Sequence, residues 1–277
     1  MHAQDPAISI IIPANNESDF IEACLQSLLD QDGGCPDAEV IVSANACKDD
    51  TVSKAQSFVP KFAARGWSLQ VLDSPEPGKL GALNRAEAVA SRPSFAFLDA
   101  DVLCDADLIG QLAQALNTDA PRYATGTFAL LPAQTLISRL YGKFWMELPF
   151  MKSGAVGAGL FAMNKAGRDR WDAFPDIISD DTFVRLMFTP AERIEVPARY
   201  HWPLVEGFRR LVQVRRRQNA GVEELHALHP EIMKNEDKPE ASILQLAMRM
   251  PLAFVVYASV QLAVKLAGPD KKWTRGR

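Results

Sequence analysis

No Gly-x-Gly-x-x-Gly follows any apolar run in this chain, and no Walker A sequence is present. A dinucleotide-binding Rossmann site and a P-loop are therefore excluded, and any bound phosphate must be held by metal and side chains. Cys-x-x-Cys is missing as well. The four cysteines, Cys24, Cys35, Cys47 and Cys104, are scattered, which argues for free thiols in a reducing compartment and against a zinc site or a disulfide frame. There is no basic excess. Lys plus Arg number 30 against 34 Asp plus Glu, a net charge of −4, so nucleic acid falls away as a partner. No basic stretch precedes the first apolar run, which stops at Pro13; that run reads as a strand and not as a signal peptide. Internal repeats and low-complexity tracts are absent.

What is present is a core-forming chain. Hydrophobic residues make up 48% of 277 residues, enough for one large α/β domain with an appendage or two small domains. Ile8 to Ile12 is a β-branched run with the profile of a buried parallel strand. A polar turn, Ala14 to Ser18, leads to Ile21, Cys24, Leu25, Leu28 and Leu29 at helical spacing. Val40 to Val42 predicts a second strand, and Val52, Ala55, Phe58, Val59 and Phe62 one helix after it. Leu69 to Leu72, a helix carrying Leu80, Leu83, Ala86 and Val89, and Ser94 to Leu98 continue the alternation. Such alternation predicts a mostly parallel sheet with right-handed crossovers.

The stretch ending at Asp99-Ala100-Asp101 carries the chemistry. Residues i and i+2 of an extended segment face the same side, and open α/β sheets place ligands outside the carboxyl ends of their strands. Two hard oxygen donors there suit Mg²⁺ or Mn²⁺ carrying a substrate phosphate. Asp105 and Asp107 stand where they can cap the next helix, which leaves Asp99 and Asp101 for a ligand. A second pair, Asp180-Asp181, follows Ile177-Ile178-Ser179; one member can cap a helix from Thr182 and the other is free for proton transfer.

Between these lie an aromatic segment, Tyr141 to Phe150, and a small-residue stretch, Gly154 to Phe161, fit for a close backbone approach or a tight bend. Residues 191–221 hold seven Arg and three Glu, a basic island suited to pyrophosphate or anionic headgroups. Residues 230–240 read as a polar linker. Met250 to Val264 is uncharged, but 15 helical residues span about 22 Å against a hydrocarbon core of about 30 Å. An interfacial helix with Lys271, Lys272, Trp273, Arg275 and Arg277 behind it and a helix packed on the domain or in a dimer both stay open.

The order of these pieces resembles the inverting family 2 glycosyltransferases. They are Ile12-Pro13-Ala14-Asn15-Asn16-Glu17, Asn45 to Thr51, Gly78 to Asn84, Asp99-Ala100-Asp101, Gly157-Ala158-Gly159 and Ser179 to Thr182, within residues 8 to about 220. The resemblance implies a GT-A fold over residues 1–225, a linker over 226–240 and an apolar helix with a basic tail over 241–277. It implies a nucleotide-sugar site made by Pro13, Ala14, Asn16, Glu17, Asn45, Asp49, Lys79, Asp99 and Arg216. It makes Asp101 the nearer ligand and Asp99 its companion for Mg²⁺ or Mn²⁺, Asp181 the base, and Asp180 the residue where the family often has Glu. Asn45 stands where many members have Asp. The family's Gln-x-x-Arg-Trp appears as Gln213-Val214-Arg215-Arg216-Arg217, and the missing Trp favours transfer of one sugar over processive synthesis.

The expected activity is metal-dependent inverting transfer of one sugar from a nucleoside-diphosphate sugar to an acceptor hydroxyl on a lipid-linked or envelope glycan. The expected location is the cytoplasm, at an anionic surface on the inner face of the cell membrane. Two rivals stand beside it. A nucleotidyltransferase would need a glycine-rich basic loop after the first strand, where this chain has Asn15-Asn16-Glu17. An inactive sugar-nucleotide-binding membrane scaffold would have shed Asp99, Asp101 or Asp181.

Overall fold

The computed structural model describes residues 5–32, 34, 37–152, 155–237 and 243–268. Cys35, Gly154 and the basic tail with Trp273 lie outside these. The alternation expected from the sequence is present at the start: β1 (Ala7–Ala14), α1 (Ile21–Leu29), β2 (Asp37–Asn45), α2 (Thr51–Ser57), α3 (Val59–Arg65), β3 (Ser68–Ser74), α4 (Lys79–Glu87) and β4 (Ser94–Leu98). The single helix expected over Val52 to Phe62 is two, and Pro60 sits in the first turn of the second, where its missing N–H is an orphan in any case. Pro13 does not end β1. It pairs with Ser43 of β2, while β4 runs beside β1 only as far as Ile11.

The second half is irregular: β5 (Leu103–Cys104), α5 (Leu108–Leu116), β6 (Tyr123–Leu130), α6 (Leu136–Trp145), α7 (Pro149–Lys152), β7 (Leu160–Asn164), α8 (Lys165–Arg168), α9 (Asp180–Leu186), β8 (Arg193–Trp202), α10 (Phe208–Leu228), α11 (Ile243–Arg249) and α12 (Pro251–Ala267). Among the described residues, eight strands form one sheet in the order β3-β2-β1-β4-β7-β6-β8-β5. β1 to β4 are mutually parallel; β7 enters antiparallel between β4 and β6. The mostly parallel expectation thus holds for the first half, and the whole is mixed.

Strand periodicity splits the core in two. Ile8, Ile10 and Ile12 point into one cluster with Leu25, Leu28 and Leu112. Ile11, one residue out of phase, joins the other with Leu83, Phe97 and Phe183. Burial on both faces is why β1 is apolar on both faces instead of alternating, apart from the buried Ser9, whose hydroxyl donates to Glu39 at 2.6 Å. Neither Asp105 nor Asp107 caps α5 with its side chain. Asp105 Oδ1 lies 2.8 Å from His201 Nε2 on β8, and Asp107 Oδ2 accepts from Gln111 Nε2 at 2.6 Å.

The long helix α10 joins the two ends of the chain. Residues 230–237, expected as linker, pack on the domain: Ile232 is buried, and Asp237 Oδ1 meets both Arg185 (3.2 Å) and Arg193 (2.9 Å). α12 lies on α6 and α10 through Ala253, Val260 and Val264. Tyr257 stacks on Tyr141 with ring centres 5.5 Å apart, and Phe254 meets Phe144 at 5.6 Å. The packed-helix reading of this segment is therefore the one the described residues adopt.

Candidate active site

The site forms outside the carboxyl ends of β1, β2 and β4. β4 delivers Asp99, whose backbone N–H donates to Gly159 O at 2.9 Å. Asp99 is half-buried and Asp101 buried. Gly159 has φ 78°, and a Cβ there would stand 2.7 Å from Trp202 Cδ1. Only glycine lets β7 start this close to the aspartates.

Lys79 opens α4 and bridges two carboxylates. Its Nζ is 3.0 Å from Asp99 Oδ1 and 2.9 Å from Asp180 Oδ2. Burial alone would pull its pKa down; the charges of Asp180 and Asp99 outweigh that and hold the pKa above the ordinary lysine value. Asp180 is the first residue of α9, and Asp181 follows, accepting from its neighbour Thr182 N at 2.6 Å. Neither aspartate caps the helix by a side-chain bond. Burial and the adjacent Asp180 charge push Asp181 up to about 6, against the lowering pull of Lys79 and the Thr182 N–H. A carboxylate near 6 is poised to accept a proton close to neutral pH.

α10 closes the cluster. At Gly221 a Cβ would lie 2.2 Å from Ser179 Oγ, so this glycine lets α10 rest on the segment that leads into α9. Glu224 fixes the contact by accepting from Ile178 N at 2.9 Å. Arg217, one turn before Gly221, shares that face. Its pKa is lowered by burial, partly offset by the charges of Asp180, Asp181 and Asp99, so the three carboxylates act on this arginine through their charge. Arg216, expected at the nucleotide sugar, is not there: its Nε donates to Gly268 O at 2.6 Å and its Nη2 to Ala267 O at 3.2 Å, at the end of α12. Successive helical residues point about 100° apart, so the arginine that reaches the cluster is one position later. The helical i, i+4 spacing of Arg217 and Gly221 was the available signal, and it is readable only once α10 is known to pack there.

The first two loops are tied to each other. Asn45 donates to Ala14 O at 2.9 Å and accepts from Gly78 N at 3.2 Å. Its amide links the loops ahead of α1 and α4 and is occupied by protein at both ends. Asn16, at φ 52°, accepts from Lys48 N at 2.6 Å. Glu17 N donates to Thr51 Oγ1 at 2.7 Å, and Asp49 accepts from Ser18 N at 3.2 Å and Thr51 N at 3.1 Å. Those N–H bonds, with the Thr51 hydroxyl foremost, lower the Asp49 pKa against a raising effect of burial. Pro13 and Ala14 are buried at the end of β1. Beneath the site, Cys24 is fully buried; its thiol pKa is raised by burial first and then by Cys104, Asp101, Asp99 and Glu17. The carboxylates of β4 and of the first loop therefore converge over one helix.

The residues present could hold a hard divalent cation. Asp99 and Asp101 supply hard oxygens, and among the described residues no group of three His, Cys, Asp or Glu forms a complete cage. Two carboxylates are the kind of donor that Mg²⁺ or Mn²⁺ takes, with its other positions left to phosphate oxygens and water.

An open α/β sheet with carboxylates gathered at the β1/β4 switch point is the GT-A arrangement. A mannosyltransferase from Pyrobaculum calidifontis, solved in complex with GDP-Man and Mn²⁺, shares it with TM-score 0.62 at 21% identity, over 96% of this chain and 77% of that one. Glucosyl-3-phosphoglycerate synthase from Mycobacterium tuberculosis, in complex with Mn²⁺, UDP and phosphoglyceric acid, does so with TM-score 0.51 at 20% identity, over 79% and 78%. Residues 9–157, more than half the chain, match the family described as "Glycosyl transferase family 2", and the chain belongs to that family. A PGL/p-HBAD biosynthesis glycosyltransferase of Mycobacterium tuberculosis is 31% identical over 117 residues, 42% of this chain and 44% of that protein. The chain spans less than half the length of the curated relatives it matches.

Proposed function

We propose that the chain is an inverting glycosyltransferase that moves one sugar from a nucleoside-diphosphate sugar to an acceptor hydroxyl, with Mg²⁺ or Mn²⁺ on Asp99 and Asp101. The observation that carries this reading is the juxtaposition of Asp181, raised to about 6, with the Asp99–Lys79–Asp180 ion pairs. Asp181 takes the proton of the acceptor hydroxyl as its oxygen attacks the anomeric carbon. The bond from that carbon to the diphosphate breaks on the opposite side, which inverts the centre and requires no enzyme nucleophile. Lys79 and Arg217 stand where negative charge grows on the leaving diphosphate. A divalent cation, when bound, supplies further neutralisation of that charge. The first two loops, with Pro13, Ala14, Asn16, Glu17, Asn45 and Asp49, hold the nucleoside. GDP-Man and UDP in the two structural relatives support a nucleotide-sugar donor.

An anionic membrane surface is the partner we propose for α12. No helix among the described residues is long and apolar enough to cross a membrane. Leu252, Val255, Leu262 and Leu266 nonetheless lie on the outer face of α12, exposed by 73%, 59%, 58% and 80%. They fall at spacings of three, seven and four residues, one stripe of a helix, with Arg249 before the stripe and Lys265 beside its end. Such a stripe suits a helix lying in the headgroup plane, with the acceptor presented on a lipid-linked or envelope glycan.

The test is a panel of nucleotide sugars with and without Mn²⁺. One donor should raise the melting temperature only with metal, and NMR of the product should show the anomeric configuration opposite to the donor's. A product of retained configuration contradicts the mechanism.

A further inference from the structure

α9 has seven residues, with Asp180 and Asp181 in its first turn and Arg185 in its last. A helix that short is not stable alone, so the place of its two aspartates is set by whatever holds its ends. At the first end Lys79 pairs with Asp180, and Glu224 accepts from Ile178 N. The far end is held by charge, from residues 235–237. Arg185 Nη2 meets Glu236 Oε1 at 2.5 Å, and its Nη1 meets Asp237 Oδ1 at 3.2 Å. Arg193, the first residue of β8, reaches the same Asp237 oxygen at 2.9 Å. Arg193 also donates to Arg185 O at 3.0 Å, Phe188 O at 2.7 Å and Asn235 O at 2.6 Å. Asn235 Nδ2 completes the hold by donating to Leu186 O at 2.8 Å.

The arrangement depends on its two acids. The side chains of Arg185 and Arg193 are each 3% exposed. Burial lowers the Arg193 pKa, the neighbouring Arg185 charge lowers it further, and Asp237 opposes both. Burial also acts against the charge of Arg185, but the bond and charge of Glu236 outweigh it and raise that pKa. Without Glu236 and Asp237, two enclosed cations would stand side by side with their repulsion uncompensated. The far end of α9 is also in electrostatic touch with the base. The Tyr123 hydroxyl is enclosed against Gly157, where a Cβ would stand 1.9 Å from it. Burial raises its pKa; Arg185 then lowers it and Asp181 raises it, so both ends of α9 act on one hydroxyl through their charge. Arg185, Arg193, Glu236 and Asp237 all lie beyond residues 9–157, the stretch matched to the family.

We propose that Glu236 and Asp237 are positioning residues: through Arg185 and Arg193 they hold α9 where Asp181 can meet the acceptor hydroxyl. That Asp181 is the base rests on the glycosyl-transfer reading; that this acidic pair holds α9 in place does not.

The experiment uses the full chain and the double variant Glu236→Gln/Asp237→Asn. Hydrogen exchange followed by mass spectrometry reads the hold on α9 directly. Exchange over residues 180–188 should be at least tenfold faster in the variant, while that over β1 stays within twofold. Turnover is nucleoside-diphosphate release from the donor that the nucleotide-sugar panel selects, with water as acceptor. It should fall at least tenfold, with donor affinity by calorimetry in Mn²⁺ within threefold. The charge-keeping swap Glu236→Asp/Asp237→Glu should recover both readouts to within threefold of wild type. Glu39→Gln is the stability control: that carboxylate accepts from Ser9 Oγ at 2.6 Å and Ser91 N at 2.5 Å. It should lower the urea midpoint and leave turnover within twofold. If the double variant does not fold, Glu236→Gln alone should show the same pattern at threefold or more. Unchanged exchange over 180–188, wild-type turnover despite faster exchange, or equal losses of turnover and donor affinity would each overturn the proposal. If the wild type turns over no nucleotide sugar of the panel while exchange behaves as described, the glycosyl-transfer reading fails and the hold on α9 stands.

Discussion

The loops after β1 and β2 and the residues after β8 reach the same cavity by different means. In the first half, side chains bond the backbone of the neighbouring loop: Asn45 joins Ala14 and Gly78, Asn16 holds Lys48 N, and Asp49 holds Ser18 N and Thr51 N. Each bond lies within a few residues of a strand end, so position along the chain sets position in the site. In the second half, Arg215, Arg216 and Arg217 sit on one helix and are aimed by what that helix packs against, through Gly221 on Ser179 and Tyr257 on Tyr141. The first half of the site, which we propose holds the donor, is built by local motif, and the second half by tertiary packing. A change in the first half should therefore act on nucleotide affinity, and a change in the second on turnover.

The largest break in nucleotide affinity is expected at Asp101, which we propose as a metal ligand. Asp101→Asn removes a buried charged oxygen, and affinity for a nucleoside diphosphate with Mn²⁺ should fall by about 100-fold or more. Calorimetry with and without EDTA checks this; unchanged, EDTA-insensitive affinity would remove Asp101 from the metal site. On the second half, Arg217→Gln should lower turnover by about 100-fold, the usual loss for one group aimed at transition-state charge. Arg216→Gln, at the end of α12, should change turnover by less than about threefold. Equal losses in both would mean that α10 acts through its packing and not through a charge.

Legibility in the sequence divided along the same line. The β-branched run at Ile8 to Ile12, the Asp99–Asp101 pair at the end of β4 and the Asp180-Asp181 pair follow from strand periodicity and chain position. Arg216 was misplaced because a motif register names a position and α10 rotates about 100° between neighbours. Trp202 gave no local signal, since Gly159, which it packs against, is 43 residues away in the chain. The capping expected of Asp105 and Asp107 failed because His201, from β8, and Gln111 reach them instead.

A smaller effect sharpens the account of Asp181. Its folded pKa of about 6 lies above the ordinary value near 3.9. Between those values the folded chain holds a proton that the unfolded chain has released, so ionising Asp181 costs stability above pH about 6. Asp181→Asn should be more stable than wild type at pH 7–8, by about 1–2 kcal/mol after allowing for water at a half-buried carboxylate. That gain should shrink as pH falls through about 6 and vanish below about 4. Urea midpoints at pH 8, 6 and 4 measure it, and a gain that grows on acidification would contradict the raised pKa.

The most direct test separates proton transfer from binding at the α9 pair. Nucleoside-diphosphate release with an identified acceptor, and donor affinity with Mn²⁺, are measured for Asp181→Asn and Asp180→Asn. Asp181→Asn should lose about 10²–10⁴-fold in turnover while donor affinity stays within about threefold. Asp180→Asn, which loses its ion pair with Lys79, should lose less turnover and more donor affinity. Near-wild-type turnover in Asp181→Asn with collapse in Asp180→Asn would move the base to Asp180. Full turnover in both would contradict glycosyl transfer at this cluster.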